Sequence, residues 1–297
     1  MDNRSEIREF LATRRARISP DQAGLPAYGG NRRVPGLRRE EVALLSGMSV
    51  DYYIRLERGN LGGVSESVLE ALSRALQLDD AEHAHLFDLA RAAGPASKQR
   101  RRPAEQQVRP TVQRILDAMT DVPAYVRNGR RDILAANKLG YALYSELFLD
   151  PVRPVNVARF VFLSPRARDF FLDWEKSAND LVAVLRTEAG RNPYDRALTD
   201  LVGELSMRSE DFRTRWAAHN VKYHRTGLKR IHHPVVGDIE LQFEAMELPA
   251  DPGLSLIVYS TEPGSAAEES LKLLASWSAS EGSPTSAPQT ADGKSSV

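Results

Sequence analysis

Residues 38–59 read RREEVALLSGMSVDYYIRLERG, two short runs of helical periodicity separated by a glycine. In the first run Val42 and Ala43 fall on the inward face, where a small side chain at Ala43 lets a second helix cross close by. Gly47 can take the positive φ that ends a helix and turns the chain sharply. Ser49 then caps the second run. Its inward residues are Tyr53 and Leu56, which leaves Val50, Asp51, Tyr52, Ile54 and Arg55 facing out. The pattern is a helix-turn-helix, and a helix held at this angle by its partner fits a major groove with its first turns toward base edges. A helical hairpin with a glycine turn and no ligand is the competing reading. The cationic flank disfavours it: Arg14, Arg15, Arg17, Arg32, Arg33, Arg38 and Arg39 precede the outward face, and Arg55 and Arg58 lie on it or just past it. Several arginines converging on one motif read as a phosphate footprint.

Outward from this motif, residues 1–93 read as all helix. A first helix is expected over about 5–17, separated from the motif by a long Gly- and Pro-rich loop, residues 18–36. Ser67 with Glu70 reads as a capping box for a helix ending near Leu76, and Asp79 with Glu82 opens a last one. Residues 94–110, GPASKQRRRPAEQQVRP, hold glycine, prolines and basic residues with hardly a large apolar side chain, which reads as a linker between independent units. Residues 278–297 are small, polar and proline-containing, too poor in apolar surface to offset ordering entropy, and are expected to be a disordered tail.

The whole chain of 297 residues has room for two domains, and 40 basic against 40 acidic residues leave no net charge to indicate a partner. There is no cysteine, hence no disulfide framework, thiolate nucleophile or cysteine metal site. The start, MDNRSEIREFLATRR, is charged where a signal peptide would be apolar, and no run approaches the roughly 18 apolar residues of a membrane span. The expectation is a cytoplasmic protein without a membrane partner. No Gly-rich phosphate loop, nucleophile elbow or metal-binding His pair on a helix is present, so no catalytic residue and no enzyme activity is expected. His219, His224, His232 and His233 invite a metal reading. No carboxylate or cysteine recurs at ligand spacing, and His232 and His233 would face opposite sides of a strand, so no metal is expected.

Residues 111–277 mix periodicities. AYVRNGRRDILAAN gives two short strands around Asn128-Gly129, a dipeptide favouring a tight hairpin. DIELQFEAMEL alternates, with Ile239, Leu241, Phe243 and Ala245 on one face and Glu240, Gln242 and Glu244 on the other, and LSLIVYST is its expected antiparallel neighbour. Helices lie between the strand groups, about 174–189, 194–206 and 211–219. The sum is a multidomain chain, an N-terminal all-α helix-turn-helix bundle followed by an α+β domain whose helices gather on one side of an antiparallel sheet. Tyr125, Asn137, Phe160, Trp174, Trp216, His219 and Tyr259 combine apolar surface with polar tips and are the candidate ligand contacts, although aromatics at such spacings also make plain core.

Residues 36–59, followed by VSESVLEALSRALQLDDAEHAHLFDLA, resemble the helix-turn-helix of the XRE class as found in the MmyB-like transcription regulators of actinobacteria. VPAYVRNGRRDILAAN, FRTRWAAHNV, HHPVVGDIEL and VYSTEPGS carry the rest of that family's pattern, and the resemblance covers roughly residues 2–277. It implies base contacts from Val50, Asp51, Tyr52 and Arg55, and phosphate contacts from Arg39 and Arg58; Arg32, Arg33, Arg38 and Ser49 complete the expected DNA-binding set. It further implies a PAS-like second domain with an apolar cavity. The expected function is a regulator that binds a two-part double-stranded DNA operator as a homodimer and responds to an apolar small molecule such as a fatty acid, with no other cofactor. The alternative is a ligand-binding protein-interaction module, whose affinity would hardly fall with salt.

Overall fold

A computed structural model of the chain describes residues 3–25, 34–94, 106–222 and 225–280. Arg32, Arg33, His224, most of the 94–110 linker and the tail beyond Ser280 lie outside the described residues.

The first half contains helices α1 (Asn3–Arg17), α2 (Arg39–Leu45), α3 (Val50–Glu57), α4 (Glu66–Ala75) and α5 (Asp80–Ala93). Their apolar stripes meet in one core of Ile7, Phe10, Leu11, Val42, Ala43, Tyr53, Leu56, Leu72, Leu86 and Leu89, each large side chain contributing about 1.5–3 kcal/mol on burial. The turn between α2 and α3 is built as the sequence suggests. Gly47 has φ +67, its N–H donates to Leu44 O at 3.2 Å and the Met48 N–H donates to Ala43 O at 2.9 Å, the paired bonds of a glycine-terminated helix. Ser49 Oγ accepts from the Tyr52 N–H at 3.2 Å. Asp79 and Glu82 form a reciprocal box at the start of α5. The start of α4 differs from expectation: Ser65 is its N-cap residue and Ser67 lies in its first turn, with its hydroxyl 3.0 Å from that of Ser65.

The second half runs α6 (Pro110–Ala118), β1 (Ala124–Asn128), β2 (Asp132–Ala136), α7 (Lys138–Leu143), α8 (Ser145–Phe148), β3 (Val155–Asn156), α9 (Val157–Leu163), α10 (Ala167–Phe170), α11 (Trp174–Arg191), α12 (Arg196–Arg208), α13 (Glu210–Ala217), β4 (Thr226–His233), β5 (Gly237–Glu247), β6 (Leu254–Ser260) and α14 (Ala266–Ser280). The strands form one antiparallel six-stranded sheet in the order β3-β2-β1-β6-β5-β4. Ile239, Leu241 and Phe243 are buried on β5 and Glu240, Gln242 and Glu244 are exposed. Most helices cover the face that Tyr125, Ile257 and Phe243 share, but α6 lies on the other, where Val112 and Leu116 pack on Val126, Ala135, Leu254 and Leu256. Helices therefore sit on both faces, because the inner strands β1 and β6 are apolar on both sides.

The β1–β2 hairpin also differs in detail. Its connection is the three residues Gly129, Arg130 and Arg131, and the left-handed position falls on Arg131 at φ 72 rather than on Gly129. The Arg131 N–H donates to Asn128 O at 3.1 Å, while the Asn128 side chain grips Asp132 through both its backbone and its carboxylate. These bonds and a bulge at Val126/Arg127 favour the longer turn over a two-residue one. The two halves are in contact: α5 packs along α11.

Candidate DNA-binding surface and ligand cleft

On α3, Val50, Asp51 and Arg55 are exposed and Tyr52 is half-buried, while Tyr53 and Leu56 anchor the helix in the core. The Arg55 guanidinium lies 4.9 Å above the Tyr52 ring, so the pair presents one flat, cationic surface. Arg38 and Arg58 are exposed at the ends of α2 and α3; the Arg38 N–H donates to Glu41 Oε2 at 2.6 Å and its side chain pairs with Glu40. Arg39 is held differently. It and Arg15 both bond the carboxylate of Glu57, which is only 3% exposed and also accepts from the Tyr53 hydroxyl. Burial raises the Glu57 carboxyl, but the two guanidinium bonds outweigh it and hold the group below the ordinary carboxylate range.

The basic flank of α1 turns away from this surface. Arg15 also donates to Leu37 O at 3.0 Å, Arg14 is fully buried against the second half, and Arg17 bonds the Asn220 side chain. These three arginines are engaged within the protein, a correction to the footprint drawn from the sequence. Arginine runs carry no mark of their direction; the buried Glu57 and the packing of α1 against the second domain set it here.

In the second half a narrow cleft separates α11 from the sheet, with a free volume of about 60 Å³. Tyr125, Arg127, Phe243, Ile257, Tyr259 and Lys229 rise from the strands, and Lys176, Ser177, Asp180, Leu181 and Val184 face them from α11. Tyr144 closes one end, its hydroxyl 2.5 Å from that of Tyr259 and its ring edge-on to Tyr125 at 5.5 Å. Burial pushes both hydroxyls well above their ordinary range, so they stay protonated and can donate.

The cleft carries an excess of positive charge. Arg127 and Arg131 are 9% and 6% exposed, and among the described residues neither has an acidic side chain within ion-pairing distance. The Arg131 Nε is buried without a hydrogen-bond partner, and burial together with the neighbouring Arg127 pushes its guanidinium well below its ordinary pKa. Lys229 Nζ donates to Ser177 Oγ at 3.0 Å and sits 4.4 Å over the Phe171 ring. Burial pushes it down to about 8. The two carboxylates of the cleft are engaged elsewhere, Asp180 with Lys222 at 2.7 Å and Asp173 with Arg230 at 3.5 Å.

Residues 108–274 match the family described as MmyB-like transcription regulator ligand binding domain, and residues 6–86 match a helix-turn-helix domain. The chain belongs to the MmyB-like transcription regulators. The regulator thus joins a DNA-binding helix-turn-helix to a ligand-sensing α+β domain, the classes to which the two matched regions belong. No curated protein matches the chain. Among the described residues no helix is long and apolar enough to cross a membrane, and no group of three or more His, Cys, Asp and Glu is placed to hold a metal ion.

Of the regulator's ligand contacts expected from sequence, Tyr125 and Tyr259 line the cleft. Asn137 stands away from it as the N-cap of α7, its Oδ1 accepting from the Gly140 and Ala124 N–H groups and its amide donating to Met119 O and Val122 O. Phe160 packs behind the wall against Phe170 and Phe171. Trp174 donates its indole N–H to Val161 O at 3.1 Å, with Arg168 over its ring. Trp216 stacks on Phe212 under Arg186, and His219 lies at the junction of the two halves. Arg127, Arg131, Tyr144 and Lys229 went unnoticed in the sequence. A signal for Arg127 was there: strand alternation puts it on the same face as Tyr125, which makes it a charged residue at an inward position.

Proposed function

We propose that the regulator senses an anionic amphiphile, a carboxylate on an apolar chain such as a fatty acid, and binds a two-part operator as a homodimer. The observation that carries the ligand class is the buried pair Arg127 and Arg131 with the half-buried Lys229 beside them, none of the three in an ion pair among the described residues. An unpaired buried cation costs several kcal/mol, and a bound carboxylate offsets that cost with charge-assisted bonds. The Tyr125, Tyr144 and Tyr259 side chains add donors beside the cations, and Val157, Val161, Leu181, Val184 and Phe243 offer the chain an apolar wall. Ligand pockets usually hold about 300–1,000 Å³, so a cleft of about 60 Å³ must widen to take an alkyl chain.

On DNA, Val50, Asp51, Tyr52 and Arg55 reach base edges, and Arg38, Arg58 and the Ser49-capped start of α3 meet phosphates. Arg39 steadies α3 through Glu57 while its half-exposed guanidinium remains within reach of the backbone. A homodimer places two such helices about 34 Å apart, in successive major grooves.

The test is thermal unfolding of the full chain with dodecanoate, with dodecanol as the uncharged control. A ligand at a hundred times its Kd adds about 2.7 kcal/mol. Dodecanoate is expected to raise the melting temperature and dodecanol to leave it nearly unchanged. Equal effects of the two would remove the anion site from the proposal.

A further inference from the structure

We propose that α11 is the element that passes the state of the cleft to the DNA-binding half, through a buried polar junction that a widening cleft opens. This rests on the reading of the cleft as the ligand site. The first three turns of α11 present Lys176, Ser177, Asp180, Leu181 and Val184 to the cleft. Its last turns present Arg186 and Gly190 to the helix-turn-helix half. One rigid helix therefore forms both a wall of the cleft and the floor of the junction.

The junction is specific. Arg186 is fully buried; its guanidinium bonds the carboxylate of Glu6 on α1 and Trp216 O, and donates to His219 Nδ1 at 2.9 Å. His219 Nε2 lies 2.8 Å from Glu9 Oε2, and Arg14 donates to His219 O at 2.5 Å. Val221, from the strand-ward side of the same loop, is buried in the core of the first half. Glycine at position 190 permits the closest approach: a Cβ there would stand 2.4 Å from Cε1 and 2.6 Å from Nδ1 of His85 on α5. The His85 ring is fully buried and meets Phe10 edge-on, so it has no free space to retreat into.

Close-packed, hydrogen-bonded junctions do not deform gradually. A shift of α11 large enough to admit an alkyl chain breaks the bonds of Arg186 and frees the first half to change its placement. Docking does not cover the recognition face, since Val50, Asp51 and Arg55 are exposed in the docked form. What it fixes is orientation, which a dimer on two half-sites reads as spacing.

The chain has no cysteine, so Glu66→Cys on α4 and Glu244→Cys on β5, both exposed, accept spin labels for a distance measurement between the halves of the full-length protein. The expected result is one narrow distance without ligand and a shifted or broadened one with dodecanoate. Gly190→Val, a wedge against His85, is expected to give the broad distribution in both conditions. If valine prevents folding, Gly190→Ala carries the same test, since alanine favours the helix. Dodecanoate should change operator affinity about 5- to 150-fold in the unsubstituted chain and by less than about twofold in the wedge variant. Distances and operator affinity both unmoved by dodecanoate that does raise the melting temperature would overturn the proposal, as would a full response in the wedge variant. Equally narrow distances with and without the wedge would overturn the junction itself, whereas failure of dodecanoate to raise the melting temperature would contradict the ligand reading of the cleft.

Discussion

Replacing Arg131 with methionine is expected to make the ligand-free protein more stable. Most substitutions of buried residues destabilise by about 1 kcal/mol or more, so the sign alone is informative. Arg131 is 6% exposed, its Nε has no partner, and Arg127 lies close enough to repel it. Methionine keeps the unbranched, flexible stem of the side chain and removes the charged tip, and both residues bear the same cost of the left-handed backbone at φ 72. Exchanging buried charges for apolar side chains of similar volume is commonly neutral to stabilising by about 1–4 kcal/mol. The repulsion with Arg127, partly opposed by the attraction of Glu188, and the lack of a close ion pair place Arg131→Met at a gain of up to about 1–3 kcal/mol. For a domain of this size that is roughly 2–4 °C per kcal/mol. Thermal unfolding of the full chain measures it, and calorimetric titration with dodecanoate should show binding weakened at least about tenfold, the loss of one charge-assisted bond. A loss of stability greater than about 1 kcal/mol, or unchanged dodecanoate affinity, would mean that Arg131 is a structural cation and not part of an anion site.

Lys229, held down to about 8 by burial, binds fewer protons folded than unfolded between about pH 8 and its ordinary value near 10.5; stability should therefore rise across that window, and Lys229→Met should flatten the rise in denaturant titrations at stepped pH. Glu57, held below its ordinary range by Arg15 and Arg39, contributes stability that is present above about pH 4.5 and lost as pH falls through the lowered value. Glu57→Ala should cost up to about 3 kcal/mol by removing the shared partner of the half-buried Arg15 and of Arg39 and the acceptor of the buried Tyr53 hydroxyl, read by urea unfolding. Arg55→Ala should weaken operator binding by about 1–3 kcal/mol while binding to random duplex changes little; equal losses on the two duplexes would place Arg55 at a phosphate.

The helix-turn-helix was legible because local chemistry decides it: Gly47 and Ser49 act within a few residues of themselves, and the buried Tyr53 and Leu56 repeat at helical spacing. The alternation of β5 was legible for the same reason. Strand β4 was not, since TGLKRIHH places exposed or half-exposed residues at most positions and owes its conformation to pairing with β5 along its whole length. The turn at Asn128-Gly129 was read from the dipeptide, whereas the side-chain bonds of Asn128 to Asp132 decided its length. Aromatic residues pointed to the cleft only at Tyr125 and Tyr259, because Phe160, Trp174 and Trp216 pack just as well behind its walls or beside them. The cations that characterise the cleft are Arg127 and Arg131 of one hairpin and Lys229 of β4, about a hundred residues away, which only the sheet brings beside them. The docking of the two halves was invisible for a similar reason: Arg14 and Arg17 read as a phosphate footprint and His219 as a ligand contact until α1 and α11 are seen to meet.

Ligand control of DNA binding is checked by titrating a fluorescent operator, selected from random duplexes, with the full-length protein in the presence of dodecanoate or dodecanol, alongside the Arg131→Met variant. Dodecanoate is expected to shift the operator affinity of the unsubstituted chain at least about fivefold, dodecanol to leave it unchanged, and Arg131→Met to remove the response while still binding the operator. An operator affinity that stays the same at dodecanoate concentrations saturating the cleft would contradict it.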